Sequence, residues 1–140
     1  MAPAIIIQKH LVGRCAYQRD TLKKRDAAIT ATGPPQHRIS RIELPTPLPV
    51  GPVNAYLVAR EPPILLDCGP RTKDALAKLT NALSSLGIGL DGIDTVIITH
   101  AHVDHFGLAR IIHERSGCRI LAHRADAEMI KHFHELFRNR

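Results

Sequence analysis

The chain has 140 residues, enough for one modest domain with a core of its own. It is 44% hydrophobic with no Trp, and its net charge is +6. No apolar stretch nears the ~18 residues of a membrane helix, and Ala4-Ile5-Ile6-Ile7 is shorter than the ~7–15-residue apolar core of a secretory signal, so a soluble, cytoplasmic protein is expected.

The charge is uneven. Residues 1–41 hold eight Lys/Arg and two acids, whereas residues 42–140 hold eleven of each. The basic character therefore belongs to a leader, residues 1–37, read as a poorly ordered, solvated tail. A basic arm for nucleic acid is the alternative. Tyr17 is its lone aromatic residue, which weakens a base-stacking role, so no nucleic-acid partner and no membrane partner is expected. Cys15, Cys68 and Cys118 are odd in number and widely spaced, which argues against a disulfide framework or a cysteine zinc cage; Cys68 and Cys118 read as small buried hydrophobes.

Residues 32–52 contain six prolines and cannot be helical, since proline lacks the amide donor. Arg38 to Leu44 is expected as an edge strand opening a domain over 38–140. Val53 to Val58 and Ile64 to Cys68 read as antiparallel strands around the Glu61-Pro62-Pro63 turn. Thr72 is a good N-cap for a helix to about Leu86, with Leu76, Leu79, Leu83 and Leu86 as its buried stripe and Gly87 as its stop. Asp94 to Thr99 reads as a buried strand, Phe106 to Ser116 as a helix, and Cys118 to Ala122 as a strand. Ala125 to Phe137 reads as a helix with Met129, Phe133, Leu136 and Phe137 on one face. Strands alternating with helices predict an α/β layered domain.

The densest chemical signal is Thr99-His100-Ala101-His102-Val103-Asp104-His105-Phe106-Gly107. Imidazoles and carboxylates are what Zn²⁺ and similar ions take as ligands. Residues two apart in an extended segment point the same way, so His100 and His102 converge on one ion. Asp104 and His105 follow where the chain turns into a helix and aim at a neighbouring position. Gly107 permits close approach there. Two ions about 3.5–4 Å apart would share a hydroxide and polarise a carbonyl or phosphoryl group.

This segment resembles the signature of the metallo-β-lactamase superfamily of metal-dependent hydrolases, and the strands at 54–58, 64–69 and 94–98 resemble the strands before it. The resemblance covers roughly residues 42–130. It implies the first half of an αββα sandwich, a mixed sheet with helices on one face. It implies His100 and His102 as ligands of a first metal, with Asp104 and His105 on a second. Zn is the default, and Fe or Mn take the same donors. It also gives Asp104 a proton-handling, catalytic role at the bridging hydroxide. The position of Asp67 supports the site through a hydrogen bond to a ligand histidine; a strand-end cap is its plain alternative. His123, after the strand at 118–122, is read either as a rim residue near substrate or metal, or as a loop residue without such a role. His113 is expected on the polar face of its helix, and Glu128 with His132 as a surface pair.

The sequence departs from the family in one respect. The family's second half supplies a third histidine for the first metal, a bridging Asp and a last histidine, and no suitable candidates follow Asp104 here. The chain is therefore expected to be a truncated hydrolase, glyoxalase II-like, acting on a small ester, thioester or amide substrate through a metal-bound hydroxide. The alternatives are a non-catalytic half-domain that binds metal or dimerises through its exposed sheet face, and a nucleic-acid-processing member of the same fold.

Overall fold

The computed structural model of the protein describes residues 5–6 and 38–136. Strands β1 (Ile5–Ile6), β2 (Arg38–Leu44), β3 (Val53–Ala59) and β4 (Ile64–Leu66) precede helix α1 (Lys73–Ser85). A short 3-10 turn, Leu90–Gly92, leads into β5 (Thr95–Ile98), and helices α2 (Val103–Phe106) and α3 (Ala109–Ser116) follow. Strand β6 (Arg119–Ala122) and helix α4 (Arg124–Leu136) complete the described chain.

The strands form one mixed sheet in the order β1-β6-β5-β4-β3-β2. β2 and β3 make a hairpin, paired from Arg38–Ala59 to Leu44–Val53, and β2 is the edge strand the sequence predicts. Its loop is the proline-rich 45–52, where missing amides stop the ladder. β4 is antiparallel to β3, while β5 runs parallel to both β4 and β6. Parallel pairs need crossovers, and α1 and the α2–α3 segment supply them. Two residues of the leader, Ile5 and Ile6, pair antiparallel with the outer edge of β6; the rest of that leader lies outside the described residues.

Strand alternation places the core on one side. The registers Ile42–Ala55, Leu57–Leu65, Leu65–Val96 and Val96–Ile120 give a buried row. Against it pack Ala75, Leu79 and Leu83 of α1, Ala109 and Ile112 of α3, and Ala127 and Ile130 of α4. Each fully buried aliphatic side chain contributes about 1.5–3 kcal/mol. The opposite row, Arg41–Tyr56–Leu66–Ile97–Leu121, is only partly buried or exposed, and among the described residues no helix covers it.

Helix α1 starts as its sequence predicts: the Thr72 side chain accepts a hydrogen bond from the Ala75 amide at 3.2 Å. It stops before Gly87, whose φ of 77° is left-handed. Cys68 and Cys118 are buried free thiols, and burial pushes both pKa values up. Cys15 lies outside the described residues.

Several expectations are corrected. Leu86 is exposed because it is the C-cap, past the last packed turn of α1, and Ala75 joins Leu79 and Leu83 in the buried stripe in its place. Met129 is 62% exposed; α4 buries Ala127 and Ile130 beside the expected Phe133, which meets Phe106 edge-on at 5.1 Å, and the side chains of Leu136 and Phe137 lie outside the described residues. His113 is buried, not polar-faced, and its Nδ1 donates to the Cys118 carbonyl at 2.6 Å, joining α3 to the start of β6. The helix expected from Phe106 begins at Val103 and is interrupted at Gly107–Leu108. There the Leu108 amide bonds the Gly69 carbonyl at 3.2 Å instead of continuing the helical ladder.

Candidate metal centre

The motif sits at the C-terminal ends of parallel β4 and β5. Ile98 is buried in the core and ends β5; Thr99, His100, Ala101 and His102 then cross to α2. His102 is the N-cap of α2, in extended backbone, and its carbonyl accepts the amides of His105 at 2.9 Å and Phe106 at 3.3 Å. Asp104 and His105 therefore lie in the first helical turn, not in a loop before it. Asp104 is buried there, 8% exposed.

His100 neighbours both other imidazoles of the motif. His100 Nε2 is 2.9 Å from His102 Nδ1, and the rings of His100 and His105 have centroids 4.1 Å apart. His105 Nε2 is 3.9 Å from Asp104 Oδ2.

Behind them lies Asp67, the residue after β4. Its Oδ2 accepts from His105 Nδ1 at 2.8 Å and from the Thr99 hydroxyl at 2.7 Å, and its Oδ1 accepts from the Thr99 amide at 2.9 Å. Asp67 is 6% exposed and adopts φ 53°, left-handed for a non-glycine residue. Such a conformation costs about 1–3 kcal/mol and persists where surrounding contacts over-determine it. Here the Asp67 amide also bonds the Ile97 carbonyl, and the Cys68 amide the His105 carbonyl, both at 2.8 Å. This turn is also why β4 ends at Leu66, two residues before the predicted end.

Gly107 is crowded by backbone. A Cβ on it would sit against the Arg71 amide nitrogen, 2.7 Å from the Val103 carbonyl oxygen and 2.8 Å from the Pro70 carbonyl carbon. Close approach at this point lets α2 dock on the loop after Asp67. An open hollow of about 350 Å³, bordered by Leu48, Arg71, Val103 and Phe133, lies beside α2.

The donor set fits a metal only in part. His100 and His102 offer two nitrogens at a spacing that a common ion could bridge, and Asp104 with His105 offers a second pair. Among the described residues no three His, Cys, Asp or Glu side chains close around one point. The Cys68 thiol is no donor: burial holds it protonated, and its Sγ faces the His105 carbonyl at 3.4 Å.

His123 follows β6, one residue past Ala122, which pairs with Ile98. It is exposed at the same sheet end as the motif, and its Nδ1 accepts from the Ala125 amide at 3.3 Å. Among the described residues no hydrogen bond joins it to the three imidazoles. Sequence reasoning gave Thr99 no role of its own. The signal was its place: a hydroxyl residue directly before the first histidine, at the end of the strand paired with the one that ends at Asp67.

A family model for the metallo-beta-lactamase superfamily matches residues 48–139. A curated relative, "Probable metallo-hydrolase YqjP" of Bacillus subtilis (strain 168), is 43% identical over 67 residues, which cover 48% of this chain and 21% of that protein. The solved metallo-beta-lactamase family protein TTHA1429 of Thermus thermophilus superposes with a TM-score of 0.52 at 30% identity, over 54% of this chain and 26% of that one. A Cronobacter sakazakii metallo-beta-lactamase with a HARLDQ motif gives 0.54 at 22% identity, over 64% of this chain and 33% of that one, a likeness of fold alone. This chain thus spans about a fifth of the curated relative it matches.

Proposed function

This chain belongs to the metallo-beta-lactamase superfamily, and on that premise we propose that it forms the first-half metal site of a metal-dependent hydrolase. The carrying observation is that His100 Nε2 and His102 Nδ1 lie 2.9 Å apart while Asp67 holds His105 by its Nδ1. His100 and His102 would hold a first ion, and Asp104 and His105 a second. Zinc suits these donors best. When bound, such ions acidify coordinated water toward neutrality and polarise a carbonyl.

The chain's own residues do the rest. Asp67 fixes the ring plane of His105. Asp104, buried at the start of α2, would hold a proton beside the reacting water. The hollow bordered by Leu48, Arg71, Val103 and Phe133 would offer an apolar wall to a small ester, thioester or amide. Ligands from beyond this half would complete the set.

Metal content per purified chain, read by elemental mass spectrometry, tests the reading. About one or two zinc ions per chain are expected, with a sharp loss in His102→Ala and none in His132→Ala, a replacement on an exposed face of α4. Equal losses in both variants would defeat the ligand assignment. A folded chain without stoichiometric metal would defeat the reading that this half holds the ions by itself.

A further inference from the structure

We propose that the Thr99 hydroxyl is a relay that carries the Asp67 carboxylate to His100, so that one carboxylate sets the tautomer of two imidazoles. The argument is a donor count. A carboxylate accepts hydrogen bonds and does not donate them. Thr99 Oγ1 lies 2.7 Å from Asp67 Oδ2, so its single proton must point there. The same oxygen lies 3.0 Å from His100 Nδ1, and with its proton committed it can only accept. His100 therefore carries its proton on Nδ1 and leaves Nε2 bare.

His105 reaches the same state directly, since its Nδ1 donates to Asp67 Oδ2 at 2.8 Å. The chain continues one step outward. A bare Nε2 on His100 accepts from His102 Nδ1 at 2.9 Å, so His102 is also Nδ1-protonated while no ion is held. Three hydrogen bonds thus run in one direction, from His102 through His100 and Thr99 to Asp67. Were Thr99 to donate to His100 instead, its oxygen and Asp67 Oδ2 would face each other at 2.7 Å with no proton between them. Thr99 is thus a positioning residue that acts through His100. Its consequence for an ion rests on the metal-site reading above, whereas the tautomers do not.

The test is two-bond nitrogen–proton correlation spectroscopy of the imidazoles in the ¹⁵N-labelled, metal-free full chain. It is run near pH 8.5, about two units above the ordinary imidazole pKa. His100 and His105 should both show protonated Nδ1 and bare Nε2. Thr99→Val should move the His100 proton toward Nε2 and leave His105 unchanged; Thr99→Ser should restore His100. Zinc affinity should fall about tenfold in Thr99→Val and recover in Thr99→Ser. A His100 with bare Nδ1 in the unaltered chain overturns the relay, as does a Thr99→Val spectrum with His100 unmoved. If the valine variant does not fold, the spectrum of the unaltered chain decides alone. The expected tautomers in a chain that binds no zinc would uphold the relay and defeat the metal reading.

Discussion

The Asp67 carboxylate takes a hydrogen bond from His105 Nδ1 at 2.8 Å, across 38 residues of sequence. Through this bond the turn after β4 and the first turn of α2 act as one unit, and the backbone repeats the link where the Cys68 amide meets the His105 carbonyl at 2.8 Å. Partners behind metal-bound imidazoles typically change affinity about 10–100-fold when removed. Asp67→Asn is therefore expected to weaken zinc binding by that order, measured by calorimetric titration. Asp94→Asn, far from the imidazoles in the hydrogen-bond network, should bind as the unaltered chain does. Equal affinity in Asp67→Asn and the unaltered chain would remove Asp67 from the site.

Asp67 also holds the fold. Its Oδ1 accepts the Thr99 amide at 2.9 Å, and an alanine would leave that donor without its partner while itself holding the left-handed φ of 53°. The expected loss of stability for Asp67→Ala is about 1–3 kcal/mol, read from urea denaturation. A midpoint unchanged from the unaltered chain would show that water replaces the carboxylate at little cost.

Gly107 makes a steric prediction. Its φ of −55° suits any residue, so only space opposes a side chain, and the crowding atoms are backbone atoms of Pro70, Arg71 and Val103. Overpacking of this kind costs about 1–3 kcal/mol. Gly107→Ala should therefore lower the urea midpoint more than Gly92→Ala, whose Cβ would meet only Ile88 Cγ2 at 3.5 Å. Similar midpoints for the two variants would refute the close approach.

The contrast between Gly107 and Leu79 shows what the sequence made legible. Leu79 and Leu83 follow from local spacing, as do the Thr72 cap and the order of strands and helices. The histidine motif was legible too, because its ligand types lie within six positions. What escaped depends on contacts between distant segments. The break after α2 arises because the Leu108 amide finds the Gly69 carbonyl, and no local pattern near Gly107 encodes that. The left-handed turn at Asp67 exists to meet Thr99 and His105, which lie 32 and 38 residues away. On α4 a Met129–Phe133 spacing of four residues suggested one face, yet the Phe106 ring selects the face of Ala127, Ile130 and Phe133. His113 looked like a surface histidine because nothing nearby in sequence shows that the Cys118 carbonyl needs a donor.

That last contact is testable by stability alone. His113 Nδ1 donates to the Cys118 carbonyl at 2.6 Å within a buried site. His113→Leu keeps most of the volume but orphans the carbonyl, for an expected loss of about 1–3 kcal/mol. His113→Gln, which retains a donor, should recover part of it. Leucine as stable as histidine would mean that the bond contributes nothing net.

Asp94 sets a pH dependence whose sign can be worked out. Its Oδ2 accepts from the Thr95 hydroxyl at 2.6 Å and from the Arg119 guanidinium at 3.1 Å. The Thr95 bond, with the Arg119 charge behind it, holds the carboxyl below its ordinary 3.8. A folded-state value below the unfolded one means that the unfolded chain binds the proton more readily, so this group favours the fold while it is ionised. Its contribution is fully present above about pH 5 and fades as pH falls through 3.8 toward the lowered value. The side chain is 37% exposed, so solvent screens the pair and the effect is small. Urea midpoints of the unaltered chain and of Asp94→Asn should therefore differ modestly at pH 7 and converge in acid below the lowered value. A gap that persists unchanged through that range would assign the stability of this corner to the Thr95 and Arg119 contacts themselves, with no part for the charge on Asp94.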